Sequence, residues 1–384
     1  MMRTVRISTP SIGEEEWHAV RESIISGWLS QGPKVAAFEK AFAERHQVTH
    51  ALAVTSCTTG LHTALTALGI GPGDEVIVPA FTWVATANSV IYCGATPVFA
   101  DVNRATYNMD PSDVAKRITS RTKAIIPVHL FGLCAEIDSL RSEIPEGIHI
   151  IEDAACAAGA YYKGTPAGGL GDVAVFSFHP RKLITTGEGG MVTTDNDELA
   201  DKVDMLRNHG ASISEEQMDY SSRPYILPDF NILGFNYRMT DLQGAVGLVQ
   251  LRKLDRFISE RQRWAEFYRE ELSGIEWLRM PVFPETGNHA WQAFVTAVDS
   301  ETSPQQRNGI MRKLQEDGIS TCPGTHAVHM LAHYRKRYNL KPDDYPGAYA
   351  CDRDTMTIPL HNRMMEDDYG YVVEKIKRIG ILKT

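Results

Sequence analysis

The sequence predicts an α/β protein with a large three-layer α/β/α domain around a mainly parallel sheet and a smaller C-terminal α/β domain. Short segments rich in Val and Ile alternate with helical patterns from about residue 12 to residue 200. Such alternation is typical of a parallel sheet covered by helices on both faces. The pattern changes to a smaller α/β unit near residue 276, and a length of 384 residues fits two or three domains. We therefore predict a large domain over 1–250 and a small domain over 251–384 that includes a connecting helix.

The predicted strands are short and apolar, as expected for strands buried on both faces. They are Glu75–Val78, Thr96–Ala100, Ala124–Val128, His149–Glu152, Val173–Ser177 and Met191–Thr194. Two helices are predicted in the first part of this region. Pro33 is suited to the first turn of a helix that ends at His46, and Thr59–Leu68 stops before Gly69.

The second half contains one long irregular segment and then further helices. Ala211–Leu233 is polar and lacks a clear period, so we predict a functional or mobile loop. A helix over Thr240–Gln250 leads into an amphipathic helix over Leu251–Leu272, and Ala290–Val298 is a predicted strand. Beyond it we predict a capping box at 303–306 that opens a helix to Asp317. The last helix has one apolar face formed by Tyr369, Val372, Val373, Ile376 and Ile379.

Composition excludes some classes of protein. The 39 basic and 48 acidic residues give a net charge of −9, which argues against a nucleic-acid surface. The six cysteines show no C-x-x-C spacing, so we predict no metal site. No apolar run approaches the length of a membrane helix, and the N-terminus has no secretory signal pattern. We therefore expect a cytoplasmic protein with no membrane partner.

Lys182 is the first candidate catalytic residue. It follows a predicted strand end at Ser177 and precedes a turn that contains Gly187, Gly189 and Gly190. A nucleophilic amine needs a partly desolvated site with a cation nearby, and His179 and Arg181 are suited to lower its pKa. A surface lysine in a flexible loop is the simpler interpretation of this segment alone.

Asp153 is the second candidate, at the end of the apolar segment Ile150–Glu152. An acid at the carboxyl end of a strand lies where open α/β sheets bind ligands. There it is suited to pair with a pyridinium nitrogen, the partner that a pyridoxal cofactor needs. A carboxylate that caps a helix is an equally good interpretation.

Two further segments suggest a ligand with a phosphate and a flat ring. Thr55–His62 places hydroxyls and free N–H groups at a predicted helix N-terminus, which is suited to bind phosphate. Trp83 follows a strand and is suited to stack on a ring. A capped helix and a core tryptophan are the simpler alternatives, but the order of phosphate site, aromatic, acid and lysine favours a functional site.

At these residues the chain resembles the DegT/StrS-type sugar aminotransferases, which are fold-type I pyridoxal-phosphate enzymes of the aspartate aminotransferase superfamily. The resemblance covers nearly the whole chain. Its segments are Gly27–Pro33, Val128–Gly132, Glu152–Gly159, Phe176–Gly190, Leu206–Gly210, Gly234–Asp241 and, more weakly, Ile358–His361.

The resemblance implies a role for each matching residue. Lys182 matches the lysine that binds pyridoxal 5'-phosphate as a Schiff base, and Asp153 matches the acid on the pyridine nitrogen. Further cofactor-binding positions match Cys57, Thr58, Trp83, Cys156, Ser177 and Asn236. The resemblance implies that Asn236 comes from a neighbouring subunit, so the working unit is a homodimer with shared active sites.

Three positions depart from the family pattern. Cys57 stands where relatives often have glycine, Cys156 where many have glutamine, and Ala158 where many have histidine. A cysteine is a weaker hydrogen-bond donor than glutamine, so we expect a weaker contact of Cys156 with the cofactor hydroxyl.

The resemblance also implies the substrates: an amino-acid donor, expected to be L-glutamate, and a nucleotide-linked 4-keto-6-deoxy sugar as acceptor. The candidate substrate contacts are Trp28, Ser30, Arg238, His326 and His329. The spacing of His326 and His329 fits one face of a helix, although structural histidines are the simpler interpretation.

Four alternative functions remain open at this point. A sugar dehydratase of the same fold carries histidine where this chain has Lys182. A cyclitol ketone is an alternative acceptor, and a non-catalytic regulatory protein is an alternative class. A nicotinamide dehydrogenase would need a G-x-G-x-x-G turn after the first strand, and none is present.

Overall fold

A computed structural model describes residues 3–212, 228–285 and 287–381, and shows a seven-stranded central sheet. The strand order is β1-β10-β9-β6-β5-β2-β4. The sheet consists of β1 (His50–Val54), β2 (Glu75–Pro79), β4 (Thr96–Ala100), β5 (Thr122–Ile125), β6 (His149–Asp153), β9 (Val173–Ser177) and β10 (Gly190–Thr194). A short strand β3 (Phe81–Thr82) and a hairpin of β7 (Tyr161–Tyr162) and β8 (Thr165–Pro166) lie outside it.

All strands of this sheet run in one direction except β10. β10 pairs antiparallel with both β9 and β1, so β1 and β9 are parallel to each other. The predicted strands are all present, with shifts of a few residues at some ends. β1 was missing from the sequence prediction, and β5 begins two residues earlier than predicted and ends at Ile125.

Helices cover both faces of the sheet, because alternate strand residues are apolar on both sides. Val76, Val78 and Val175 belong to one core cluster, whereas Ile77, Ile150 and Phe176 belong to a second. The helices are α1 (Glu14–Ser26), α2 (Pro33–His46), α3 (Cys57–Ala67), α4 (Ala85–Tyr92), α5 (Pro111–Arg117), α6 (Ile137–Glu143), α7 (Asp197–Arg207) and α8 (Asp241–Leu272). Residues of α3, α4 and α7 lie in the first cluster, and residues of α2, α5, α6 and α8 lie in the second. This arrangement confirms the three-layer α/β/α prediction.

A third core cluster forms the smaller α/β unit. It surrounds an antiparallel sheet of β11 (Leu278–Arg279), β12 (Phe294–Val298) and β14 (Thr355–Ile358), with β13 (His326–Ala327) pairing instead with β3. Its helices are α9 (Arg307–Glu316) and α12 (Glu366–Ile381), whereas the buried apolar residues of α10 (Ala332–Tyr338) and α11 (Pro346–Asp354) belong to the first core cluster. The predicted apolar face of the last helix is buried in this cluster, from Tyr369 to Ile379. Val5 joins the same cluster and pairs with Ile319.

The helix α8 is continuous across residue 250, where the sequence suggested two successive helices. Thr240 caps it with a capping box to Gln243, and its apolar residues pass from the second core cluster at Leu254 to the third at Tyr268. The domain division at residue 250 therefore stays a prediction, and α8 itself connects the two cores.

Two local predictions are wrong. The predicted capping box at 303–306 does not open a helix, because α9 begins at Arg307 and its N-cap Gln306 makes no side-chain cap. The hydroxyl of Ser303 instead donates to the carbonyl of Gln305. The strand predicted over Ala290–Val298 begins only at Phe294, since Trp291 has a left-handed backbone conformation with φ of 50°.

Residues 213–227 of the predicted loop Ala211–Leu233 lie outside the described residues. Among the helices that the structure describes, none has the length and apolar character needed to cross a membrane.

Candidate active site

Four segments that are distant in sequence meet at one edge of the central sheet. β1, β2, β6 and β9 run in the same direction, so their carboxyl ends share that edge. β1 leads to Cys57, β2 leads to Trp83, β6 ends at Asp153, and β9 leads to Lys182. The strand ends thus bring together the residues that the sequence singled out.

Asp153 is buried at the end of β6, with 4% of its surface exposed. Its Oδ2 accepts a hydrogen bond from the hydroxyl of Thr86 at 2.7 Å, and its Oδ1 accepts one from the backbone N–H of Ala155 at 3.2 Å. The thiol of Cys57 lies 3.9 Å from Oδ1. Burial raises the pKa of Asp153 above its ordinary value, although the Thr86 and Ala155 hydrogen bonds and the charge of Lys182 oppose that rise.

Lys182 reaches toward the same place from the loop after β9. Its Nζ lies 3.2 Å from the Cys156 Sγ, and its backbone N–H donates to the carbonyl of His179. Burial is the largest single influence and disfavours the ammonium. Even so, Cys156, Cys57 and Asp153 together raise the pKa of Lys182. The expectation of a lowered pKa for Lys182 is therefore wrong, although the charges of Lys182 and His179 do repel each other.

The N-terminus of α3 presents backbone N–H groups beside these side chains. Ser56 caps α3 by accepting from the N–H of Thr59, whose hydroxyl accepts in turn from the N–H of Ser56. The N–H groups of Cys57 and Thr58 occupy the first turn, where a helix has no internal acceptors for them. Gly190 approaches this turn so closely that an added Cβ would lie 2.6 Å from the Ser56 carbonyl carbon.

The cysteine at position 57 is a neutral thiol. Burial raises the pKa of Cys57 well above its ordinary value, and the nearby Asp153 carboxylate acts in the same direction. The thiol also lies 3.7 Å from the carbonyl of Val175, in the strand that ends at Ser177. Where relatives often have glycine, this chain therefore has an uncharged thiol between α3 and the sheet.

Trp83 is exposed for 61% of its surface, which is unusual for a tryptophan beside a sheet edge. Its ring lies 5.5 Å from that of His326 in an edge-on arrangement. β13 brings His326 there by pairing it with Thr82. This proximity supports His326 as a neighbour of the site. His326 is far from Trp83 in the sequence, so no local pattern indicates that the two residues meet.

Asn236 and Arg238 lie on a segment that follows α7. The backbone of Asn236 pairs with that of Asn208, and Arg238 donates to the side-chain oxygen of Asn208 at 2.7 Å. Arg238 also pairs with Val54 at the end of β1. Asn236 is exposed.

Trp28 and Ser30 lie on the segment between α1 and α2. The indole N–H of Trp28 donates to the carbonyl of Gln31 at 3.0 Å, and the carbonyl of Ser30 accepts from the N–H of Asp241. Ser30 therefore lies beside the N-terminus of α8.

His329 is completely buried, in contrast to the exposed His326. Burial lowers the pKa of His329, and its ring packs edge-on against Tyr345. His326 lies in β13, whereas His329 lies in a short 3-10 turn, so the prediction of a shared helix face is wrong. In the described ranges no three His, Cys, Asp or Glu side chains are grouped as metal ligands.

Sequence reasoning missed three residues that surround Asp153. Thr86 lies in α4, and its buried hydroxyl bonds the carboxylate directly. Glu152, which precedes Asp153 in β6, forms a fully buried pair with His129, with 2.8 Å between His129 Nε2 and Glu152 Oε2. The spacing Thr82–Thr86 gives an i,i+4 pair of hydroxyls, but threonines are common and this signal is weak.

These residues fit pyridoxal 5'-phosphate. Asp153 is a buried carboxyl group that forms no salt bridge with any described residue, which suits a pyridinium nitrogen. Lys182 is an amine whose closest polar partner is a thiol, the first turn of α3 suits a phosphate, and the exposed Trp83 ring suits a flat heterocycle.

Comparison with known proteins gives the family. Residues 10–377 match the model of the DegT/DnrJ/EryC1/StrS aminotransferase family. The chain belongs to this family. It is accordingly a pyridoxal-phosphate-dependent aminotransferase, and the fold-type I architecture predicted from the sequence is confirmed.

Relatives from bacteria match over nearly their whole length. The chain is 40% identical to the spore coat polysaccharide biosynthesis protein SpsC of Bacillus subtilis, over 97% of this chain and 96% of that protein. It is 40% identical to the GDP-perosamine synthase of Caulobacter vibrioides, over 98% of both chains. The structure of Spr1654 from Streptococcus pneumoniae in its PLP form superposes with a TM-score of 0.91 at 30% identity, over 99% of both chains.

Proposed function

We propose that this family member transfers the amino group of L-glutamate to a nucleotide-linked 4-keto-6-deoxy sugar, in the cytoplasm, as a step in amino-sugar biosynthesis. The observation that carries this proposal is the meeting of Lys182, Asp153 and the α3 N-terminus at one sheet edge. The names of the two 40% identical relatives, one a polysaccharide biosynthesis protein and one a GDP-perosamine synthase, support a nucleotide-linked sugar.

Each residue at the ends of these strands suits one part of the cofactor. Lys182 would hold the cofactor at its aldehyde carbon, Asp153 would pair with the ring nitrogen, and Trp83 would cover the ring. The N–H groups of Cys57 and Thr58, with the hydroxyl of Ser177, would bind the phosphate. Cys156, which contacts Lys182, would face the cofactor hydroxyl.

The chain's own groups then move and hold protons. Bound pyridoxal phosphate supplies an electron-accepting ring that stabilises negative charge on the carbon that carries the amino group. Asp153 holds the proton on the ring nitrogen. The amine of Lys182 removes the proton from the α-carbon of the donor, as a general base placed within the site.

We propose Trp28, Ser30, Arg238 and His326 as contacts for the sugar acceptor. His326 lies beside Trp83, the aromatic proposed to cover the ring, which supports its place. His329 is not carried into this proposal because it is completely buried.

We also propose a homodimer in which Asn236 reaches the phosphate site of the partner chain. Large apolar side chains are exposed on α1 and near Asn236, which is typical of a surface that another chain covers. They are Trp17, Ile24 and Ile25 on α1, and Phe230 and Leu233 before Asn236. A sedimentation measurement that returned only monomers at working concentration would contradict this part of the proposal.

The decisive test is amino transfer to defined acceptors. The loaded protein is incubated with L-glutamate and a panel of nucleotide-linked 4-keto-6-deoxy sugars, with a cyclitol ketone included. We expect an aminated nucleotide sugar, identified by mass and NMR, and an equal amount of 2-oxoglutarate.

A test variant and a matched control variant accompany that assay. Lys182→Ala should lower turnover by at least about a hundredfold, since it removes the general base. Lys163→Ala should have no effect, because Lys163 is an exposed lysine paired with Asp138. Amination of the cyclitol ketone alone, ammonia release without amino transfer, or full turnover by Lys182→Ala would each refute the proposal.

A further inference from the structure

Thr86 is in direct contact with Asp153 from the face of the sheet that α4 covers. The distance from Thr86 Oγ1 to Asp153 Oδ2 is 2.7 Å, and Thr86 is 0% exposed. Among the described residues, no other hydroxyl bonds this carboxyl group, whose second oxygen accepts from the N–H of Ala155. The rotation of the Asp153 carboxyl is therefore fixed by one hydroxyl and one backbone N–H.

The Thr86 hydroxyl donates its single proton to the carboxylate of Asp153. Three acceptors surround Oγ1: Asp153 Oδ2 at 2.7 Å, the carbonyl of Trp83 at 3.2 Å and the Thr82 hydroxyl at 3.3 Å. A carboxylate is the strongest acceptor and is also the nearest. Thr82, itself 1% exposed, then donates its own proton to Thr86 Oγ1, so the two buried hydroxyls form a chain that ends on the carboxylate.

We propose that Thr86 is a positioning residue that keeps Asp153 ionised and correctly oriented for the ring nitrogen of the cofactor. This inference rests on the role of Asp153 in the proposed function. A buried carboxylate without a hydrogen-bond donor tends to take up a proton and become neutral. A neutral Asp153 would no longer stabilise a protonated pyridine, and the ring would accept electrons less well.

The electrostatics of the site agree with this geometry. Burial is the largest influence on Asp153 and raises its pKa, and the Thr86 hydrogen bond is the strongest influence that lowers it. Lys182, His129 and the thiol of Cys57 are the other titratable groups of the described residues that act most strongly on this carboxyl. Loss of the Thr86 hydroxyl would thus leave burial opposed chiefly by a backbone N–H and by Lys182.

The test compares Thr86→Val, which keeps the shape and removes the donor, with Thr86→Ser, which keeps the donor. We expect Thr86→Val to weaken pyridoxal phosphate binding to the apoprotein about tenfold, as for loss of one charge-assisted hydrogen bond. Its kcat should fall while the KM for L-glutamate stays unchanged. Thr86→Ser should restore both quantities to within about threefold of wild type.

A matched control separates this effect from loss of a buried hydroxyl in general. Thr296 is also 0% exposed and donates to a carbonyl, that of Met356, in the distant three-stranded sheet. Thr296→Val should bind pyridoxal phosphate like wild type. If Thr296→Val and Thr86→Val weaken binding equally, or if Thr86→Ser does not restore it, the inference is overturned.

A double-variant comparison distinguishes the inference from the proposed function on which it rests. If Thr86 acts through Asp153, then Thr86→Val should add no further loss of binding in an Asp153→Ala background. Fully additive losses would overturn the role of Thr86 and leave that of Asp153 intact. If Asp153→Ala alone binds pyridoxal phosphate and turns over like wild type, the role of Asp153 fails first and the inference fails with it.

Discussion

Glu152 and Asp153 are adjacent acids at the end of β6 that differ in their hydrogen-bond partners. Successive strand residues point to opposite faces, so Asp153 faces α3 and α4 while Glu152 faces the loop at 168–171. Glu152 accepts hydrogen bonds from the ring of His129 and from the N–H groups of Gly168, Leu170 and Gly171, at 2.7–2.9 Å. These donors overcome burial and lower the pKa of Glu152, whereas the fewer donors at Asp153 leave its pKa raised.

His129 completes this arrangement as a neutral imidazole. Its Nδ1 accepts from the N–H of Ala135 at 3.1 Å, so its proton is on Nε2 and is donated to Glu152. The backbone N–H of His129 also donates to the carbonyl of Asp153. The Glu152 cluster therefore anchors the strand end from which Asp153 faces the site.

Glu152→Gln should destabilise the protein by roughly 2–3 kcal/mol near neutral pH, because an amide cannot accept from all these donors. The pKa of Glu152 is lowered on folding, so its stabilisation is present above the unfolded-state pKa and is lost as pH falls through the folded-state pKa. Urea unfolding midpoints measured from pH 7 downward should therefore converge for wild type and variant in acid. Exposed Glu301→Gln is the control. A gap that stayed constant with pH would contradict this interpretation.

At the scale of elements, the close approach of β10 to α3 shapes the proposed phosphate site. The loop between β9 and β10 reverses the chain, which makes β10 the antiparallel strand and puts Gly190 against the first turn of α3. Neither feature is visible in the sequence, because a glycine-rich turn does not specify which element it approaches.

Gly190→Ala should weaken pyridoxal phosphate binding and destabilise the fold by about 1–3 kcal/mol, as overpacking does. The added Cβ would lie 2.6–2.7 Å from backbone atoms of Ser56 and Cys57, which cannot move without shifting the α3 N-terminus. Fluorescence titration of the apoprotein and thermal unfolding would measure both effects. Gly274→Ala adds a methyl group where nothing lies within 4 Å and should behave as wild type. If Gly190→Ala and Gly274→Ala had the same stability and the same affinity for pyridoxal phosphate, the close approach of Gly190 to α3 would not limit the side chain at position 190.

Local sequence patterns predicted the positions of helices and strands better than they predicted which elements pack or pair with one another. The end of α2 at His46 was predicted to the residue, and Pro33, predicted in the first turn, is the first residue of that helix. β1 was missed because its sequence, HALAV, is short and rich in alanine, and its burial depends on strands far along the chain. The end of β6 at Asp153 was nearly correct, and this is why the acid was identified.

For the whole molecule, the sequence predicted which residues are chemically useful and the fold determined which of them meet. Lys182, Asp153, Cys57 and Trp83 follow strands that run in the same direction, so one topological fact brings all four to one edge. Thr86 and the His326–Trp83 contact depend on side-chain orientation and on the pairing of β13 with β3. Such contacts leave no periodic signal in a single sequence.

The position of the lysine that carries the cofactor tests this description most directly. The loaded protein is reduced with borohydride, digested, and its pyridoxyl-labelled peptide is sequenced by mass spectrometry. We predict one labelled lysine, Lys182, and no label at the exposed Lys163. A label on another lysine, or no stable label, would show that the sheet edge described here is not the catalytic centre.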